Sequence, residues 1–139
     1  MTRIMGLDIG DKTIGVALSD PMFLIANPLE TIKRKKASLD IVKLLKIIED
    51  NQVSQIVVGL PKNMNNSIGP QSMKVMSFVD LLRKQTDKEI VYEDERMTTL
   101  QSERVLIDMD VRRENRKKYI DKIAATFILQ TYLDRRTNG

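Results

Sequence analysis

The segment GLDIGDKTIGVALSD, residues 6–20, sets two strands side by side around a charge that an apolar strand should not contain. Ile4, Met5, Leu7 and Ile9 mark a buried strand over residues 3–9, and residues 13–19 form its neighbour across a turn at Gly10, Asp11 and Lys12. Asp8 lies inside the first of these strands, with glycines at positions 6, 10 and 15 close by. A carboxylate held out of water needs a partner or a cation. Residues of little bulk beside it leave room for the backbone of a ligand to approach.

The pattern extends outward from there. Residues 23–32 read as a third strand that Pro28 confines to an edge or a bulge. Ser38 is the expected N-cap of a helix reaching about Asn51, with Ile41, Leu44, Leu45 and Ile48 at helical spacing. QIVVGLP has the continuous apolar character of a central parallel strand. The loop KNMNNSIG leads to Pro70, which suits the first turn of a helix. EIVYED is a further strand, and Thr98 with Gln101 forms a capping box for a helix to about Met109. A last helix spans residues 113–133, its buried stripe marked by Ile120, Ala124, Phe127 and Ile128. The expectation is an α/β fold with a five-stranded mixed sheet, an antiparallel three-strand meander plus two parallel strands, flanked by helices. One domain is expected over residues 1–139.

Composition narrows the chemistry. The chain has neither cysteine nor histidine, so disulfides, thiolate nucleophiles, the commonest general base and the commonest zinc ligand are all excluded. Carboxylates, lysines, hydroxyls or a bound hard metal remain. No apolar run reaches the roughly 18–20 residues of a membrane span, and no signal peptide is legible, so a cytoplasmic protein is expected. The net charge of +4 is modest, but it gathers in KRKK at 33–36, RRENRKK at 112–118 and the pair Arg135 and Arg136. Such clustering points to a nucleic-acid partner rather than a membrane.

Three carboxylate positions interrupt or end apolar patterns: Asp8, the pair Asp94 and Glu95, and Asp121. Asp121 falls at the edge of the last helix's buried stripe, and the small Ala124 and Ala125 allow close approach to the sheet. Carboxylates gathered together persist with shifted pKa values or with a cation between them, and an oxygen-only set selects a hard ion such as Mg²⁺ or Mn²⁺.

GLDIGDKTIGVALSD, VVGLPKNMNNSIGP, DERMTTLQSERVL and KKYIDKIAATFILQTYL together resemble the YqgF/RuvX family over nearly the whole chain. These are bacterial proteins of RNase H-like fold, related to the Holliday-junction resolvase RuvC. The resemblance implies a metal-dependent endonuclease that matures the 5′ end of pre-16S ribosomal RNA. The alternatives it leaves are a Holliday junction resolvase acting on DNA and a non-catalytic RNA-binding assembly factor. It implies a catalytic metal site of Asp8, one acid of the Asp94–Glu95 pair, with Glu95 favoured, and Asp121. Thr13, Asn66, Ser72 and Ser102 depart from the residues usual in the family, and none of them removes a carboxylate.

Lys12 in the first turn, Lys62 and Asn63 in the loop before Pro70, and Arg96 are candidates for nucleic-acid contact. Arg116, Lys117 and Lys118, just before Asp121, are the others. Aromatic residues are only 4% of the chain, so phosphate and shape contacts outweigh base stacking. The expected partner is pre-rRNA, with association to a ribosomal precursor; branched DNA is the second choice.

Overall fold

The computed structural model describes residues 1–61, 69–94 and 113–138, the last stretch by backbone alone at 113–122 and 137–138. Strands β1 (Arg3–Ile9), β2 (Thr13–Ser19) and β3 (Ala26–Lys33) precede helix α1 (Ala37–Asp50). Strand β4 (Val53–Leu60), helix α2 (Pro70–Arg83), strand β5 (Glu89–Asp94) and helix α3 (Arg113–Asn138) follow. The strands form one five-stranded sheet in the order β3-β2-β1-β4-β5. The first three pair antiparallel, and β4 and β5 add parallel to β1. This is the mixed sheet that the sequence predicts. The helix expected at 98–109 lies outside the described residues.

Pro28 sits where both expectations meet. Strand β3 is an edge strand, and its register slips between Val16↔Glu30 and Ala17↔Pro28. That slip leaves one extra residue on β3, the bulge that tolerates a proline without a donor.

Strand alternation divides the core between the two faces of the sheet. Met5, Leu7 and Ile9 turn towards α1 and α2, in a core shared with Leu44, Val58, Val79 and Leu82. Ile4, Ala17 and Val57 turn the other way and meet Ala125, Ile128, Leu129 and Leu133 of α3. The buried stripe of α3 is therefore rotated from the expected one: Phe127 is only half-buried, while Ala125, Leu129 and Leu133 are fully enclosed. The helix also runs five residues beyond the expected end at Leu133.

The start of α1 differs from expectation. Lys36, not Ser38, occupies the N-cap position, and no side chain caps it there. Asp40, one turn inside, is buried instead and accepts from the Lys35 backbone N–H at 3.0 Å and from Arg34 Nε at 3.1 Å. A buried carboxylate in the first turn also suits the positive end of the helix dipole. At α2, Pro70 takes the first turn as expected, and the buried Ser72 donates its hydroxyl to the Pro61 carbonyl, tying the helix to the end of β4.

Candidate active site

Asp8 pairs with Gly15 across the hairpin, near the C-terminal end of β1. Ile4 packs under α3, so alternation places Gly6 and Asp8 on that same face. The ends of parallel strands are where open α/β sheets bind ligands. Asp8 is half-buried and already engaged by neighbouring groups.

Gly6 does not open this face to a ligand, as its small size suggests it should. It lets α3 in. A Cβ at position 6 would stand 2.8 Å from Leu129 Cβ and 3.0 Å from the Ala125 carbonyl oxygen. Tyr132 Oη bonds Gln55 Oε1 at 3.0 Å, and Gln55 is in register with Ile4. So α3 lies over Gly6 with residues 125 and 129 and has residue 132 near the Ile4 end.

Asp94 closes β5 in register with Leu60, a residue of the core on the α1 and α2 side. By alternation it belongs to the face opposite Asp8. The Asp121 backbone is one helical turn before Ala125 in α3; its side chain lies outside the described residues. Glu95, Arg96, Lys62 and Asn63 also lie outside them, as do the side chains of Arg116, Lys117 and Lys118. Among the described residues, no three metal-ligating side chains gather. Lys12 is exposed at the hairpin tip.

Glu93 is an acid that sequence reasoning missed. It is only 4% exposed, and it is in register with Gly59, the residue after Val58, which pairs with Leu7. Glu93 thus lies on the Asp8 face at nearly the same level, two strands away. Both its oxygens accept from the Arg135 guanidinium, Oε1 at 2.9 Å. Burial pushes its carboxyl above the ordinary glutamate range, and Arg135 draws it part of the way back. The alternation of Val91 and Glu93 on one face was the available signal.

The pair has a testable asymmetry. Arg135→Ala leaves a buried carboxylate alone, at an expected cost of about 1–3 kcal/mol at neutral pH. Glu93→Gln costs less, because the Arg135 side chain is 64% exposed and can return to water. A raised folded-state pKa means that the folded protein binds the proton more tightly. Stability is therefore lost as pH rises from the ordinary glutamate value through the folded one. The Arg135→Ala deficit should shrink as pH falls through that window, in urea melts from about pH 4 to 8. A deficit independent of pH would mean that Glu93 is not charged there.

The sheet order, with a carboxylate at the end of its first strand, defines a class, the RNase H-like fold. Thermus thermophilus RuvC bound to a Holliday junction substrate superposes with a TM-score of 0.63 at 13% identity, covering 99% of this chain and 97% of that one. The fowlpox virus resolvase, also in complex with junction DNA, gives 0.59 at 16% identity, covering 97% and 99%. This chain belongs to the RuvX family, described as Holliday junction resolvase, whose model matches residues 2–135. A relative from Clostridioides difficile strain 630, named "Putative pre-16S rRNA nuclease", is 52% identical over 137 residues, 99% of this chain and 97% of its own. One from Clostridium tetani with the same name is 52% identical over 132 residues, 95% and 96% of the two chains.

Proposed function

We infer that this chain is a divalent-metal-dependent endonuclease acting on structured nucleic acid, and that its work is 5′-end maturation of pre-16S ribosomal RNA. The observation that carries the reading is Asp8 on the α3 face of β1, in a chain about half identical to relatives bearing that name. Asp8, Glu95 and Asp121 are the proposed ligands for Mg²⁺ or Mn²⁺. The chain's donor set fits a hard ion: without histidine or cysteine, only oxygen ligands are on offer.

The seat of Ala125 and Leu129 over Gly6 supports Asp121 as partner to Asp8. Two residues along β1 from Gly6 to Asp8 advance about 6.6 Å. Four residues back along α3 from Ala125 to Asp121 advance about 6 Å. Advances of similar length are compatible with Asp121 as the partner. Asp94, on the opposite face, is the poorer candidate of the adjacent pair, which favours Glu95.

Bound there, the metal would acidify the attacking water and stabilise the departing oxygen. The protein's own part is to hold carboxylates in fixed positions and to orient the phosphate backbone. Lys12, Lys62, Asn63, Arg96, Arg116, Lys117 and Lys118 are proposed for that orientation. The family description favours a second substrate, a four-way DNA junction. The test is incubation of the purified protein with a pre-16S leader RNA and with a four-way junction, each with Mg²⁺, Mn²⁺ or EDTA. Metal-dependent cleavage of the RNA alone is expected. Cleavage of the junction alone would reassign the substrate, and RNA binding without any cleavage would make the chain an assembly factor.

A further inference from the structure

The basic run KRKK at 33–36 is not one uniform patch of charge. Arg34 turns inward. Its Nε meets Asp40 at 3.1 Å, its NH1 donates to the Gly10 carbonyl at 2.8 Å, and its guanidinium lies 4.9 Å from the centre of the Phe78 ring. Its backbone N–H donates to the Lys12 carbonyl at 2.8 Å. One residue thus locks the turn after β1 to the start of α1 and to α2.

That lock leaves three exposed lysines on a fixed frame. Lys12 is at the hairpin tip, and Lys35 and Lys36 are at the β3–α1 junction, where the Asp40 N–H donates to the Lys36 carbonyl at 3.0 Å. Their ammonium groups have no ion-pair partner among the described residues. Lys74 of α2 reaches the same turn, beside a groove of about 440 Å³ that it lines with Gly10, Asp11 and Arg34, the neighbours in sequence of Lys12 and Lys35. Among the described residues Asp11 is the one carboxylate lining that groove, and it faces Lys74 at 3.4 Å with both side chains more than half exposed. Among the described residues, four lysines and one carboxylate thus stand on a backbone frame that Arg34 ties together, and a local excess of positive charge attracts a polyanion.

The hairpin tip projects past Asp8 by roughly 10 Å, at about 3.3 Å per residue. A strand leaving Asp8 in that direction meets Lys12 and, passing over the hairpin tip to the α1 and α2 face, the rest of the cluster. We propose that Lys12, Lys35, Lys36 and Lys74 form a second phosphate-binding tract, which holds the backbone of the nucleic-acid strand flanking the cleaved bond. The inference rests on the nuclease reading for its ligand, but it makes a claim about binding that stands apart from cleavage.

The test is therefore a binding measurement in EDTA, which cleavage cannot disturb. Affinity is read by fluorescence anisotropy over a salt series, with oligoribonucleotides of about 6 and about 16 nucleotides. The variant is Lys35→Gln/Lys36→Gln/Lys74→Gln. Its control, Lys43→Gln/Lys46→Gln/Lys84→Gln, removes the same charge from exposed lysines elsewhere on α1 and at the end of α2. Loss of three phosphate contacts should flatten the log–log salt slope for the long probe by about 2, with the short probe nearly unaffected. An unchanged slope for the long probe would overturn the proposal. So would equal weakening in the control, which would reduce the effect to net charge. Wild-type protein that binds with the expected slope but cuts nothing would retain the tract and remove the nuclease reading; cutting with an unchanged slope would do the reverse.

Discussion

Asp8→Asn should reduce cleavage by roughly 10³-fold or more while the protein stays folded, since members of a catalytic unit fail together rather than in shares. That loss corresponds to about 4 kcal/mol of transition-state stabilisation. The change keeps the size, removes the charge and turns one acceptor oxygen into an NH2 donor, so the half-buried position is preserved sterically. Residues kept for function are rarely those that stability needs, and the melting temperature should move by no more than a few degrees. Binding gives a second readout. An ion that binds only the folded state stabilises it according to its concentration over its Kd. Wild-type protein should melt later in millimolar Mn²⁺ than in EDTA, and Asp8→Asn should lose that difference. Full cleavage by the variant would remove Asp8 from the chemistry. Lost cleavage with the Mn²⁺ shift intact would keep Asp8 in the reaction but not as a ligand.

The parts of this fold that were legible are those written in short-range pattern. Alternation at Ile4, Leu7 and Ile9, the apolar run before Gly59, and Pro70 at a helix start depend on neighbours within a few residues. Pro28 was legible for the same reason: a missing donor is a local fact. What stayed hidden depends on partners far along the chain. Ser38 has the chemistry of an N-cap, but Asp40 takes the buried role because Arg34 lies opposite it. Glu93 looks like one more acid in a row of charges until Arg135, 42 residues away, covers it. KRKK reads as a surface run, yet Arg34 belongs to the interior because Phe78 and Gly10 are there to receive it. Of the candidate site, Asp8 was legible because a charge inside an apolar strand is itself an anomaly. The role of Gly6 was not, because glycine looks the same whether it makes room for a ligand or for a helix.

That distinction sets the second large effect. Gly6→Ala should cost about 1–3 kcal/mol, the usual range for overpacking a well-filled core. The added methyl would meet Leu129 Cβ at 2.8 Å and the Ala125 carbonyl at 3.0 Å. Neither atom can rotate away, since one is a helix backbone oxygen and the other is fixed directly to the backbone. Either α3 withdraws from β1, or the sheet bends away beneath it. In both cases the element carrying Asp121 moves relative to the strand carrying Asp8. Catalytic constellations tolerate about 0.5 Å of displacement, and about 1 Å can cost on the order of 100-fold in rate. The expected result is a fall in melting temperature of several degrees, together with a loss of cleavage measured well below the transition, where the variant is folded. Lowered stability with full cleavage would mean that the spacing of α3 and β1 serves the core alone, and that the reacting carboxylates are set by other contacts. An unchanged melting temperature would mean that the helix does not approach β1 as closely as the missing side chain at position 6 allows.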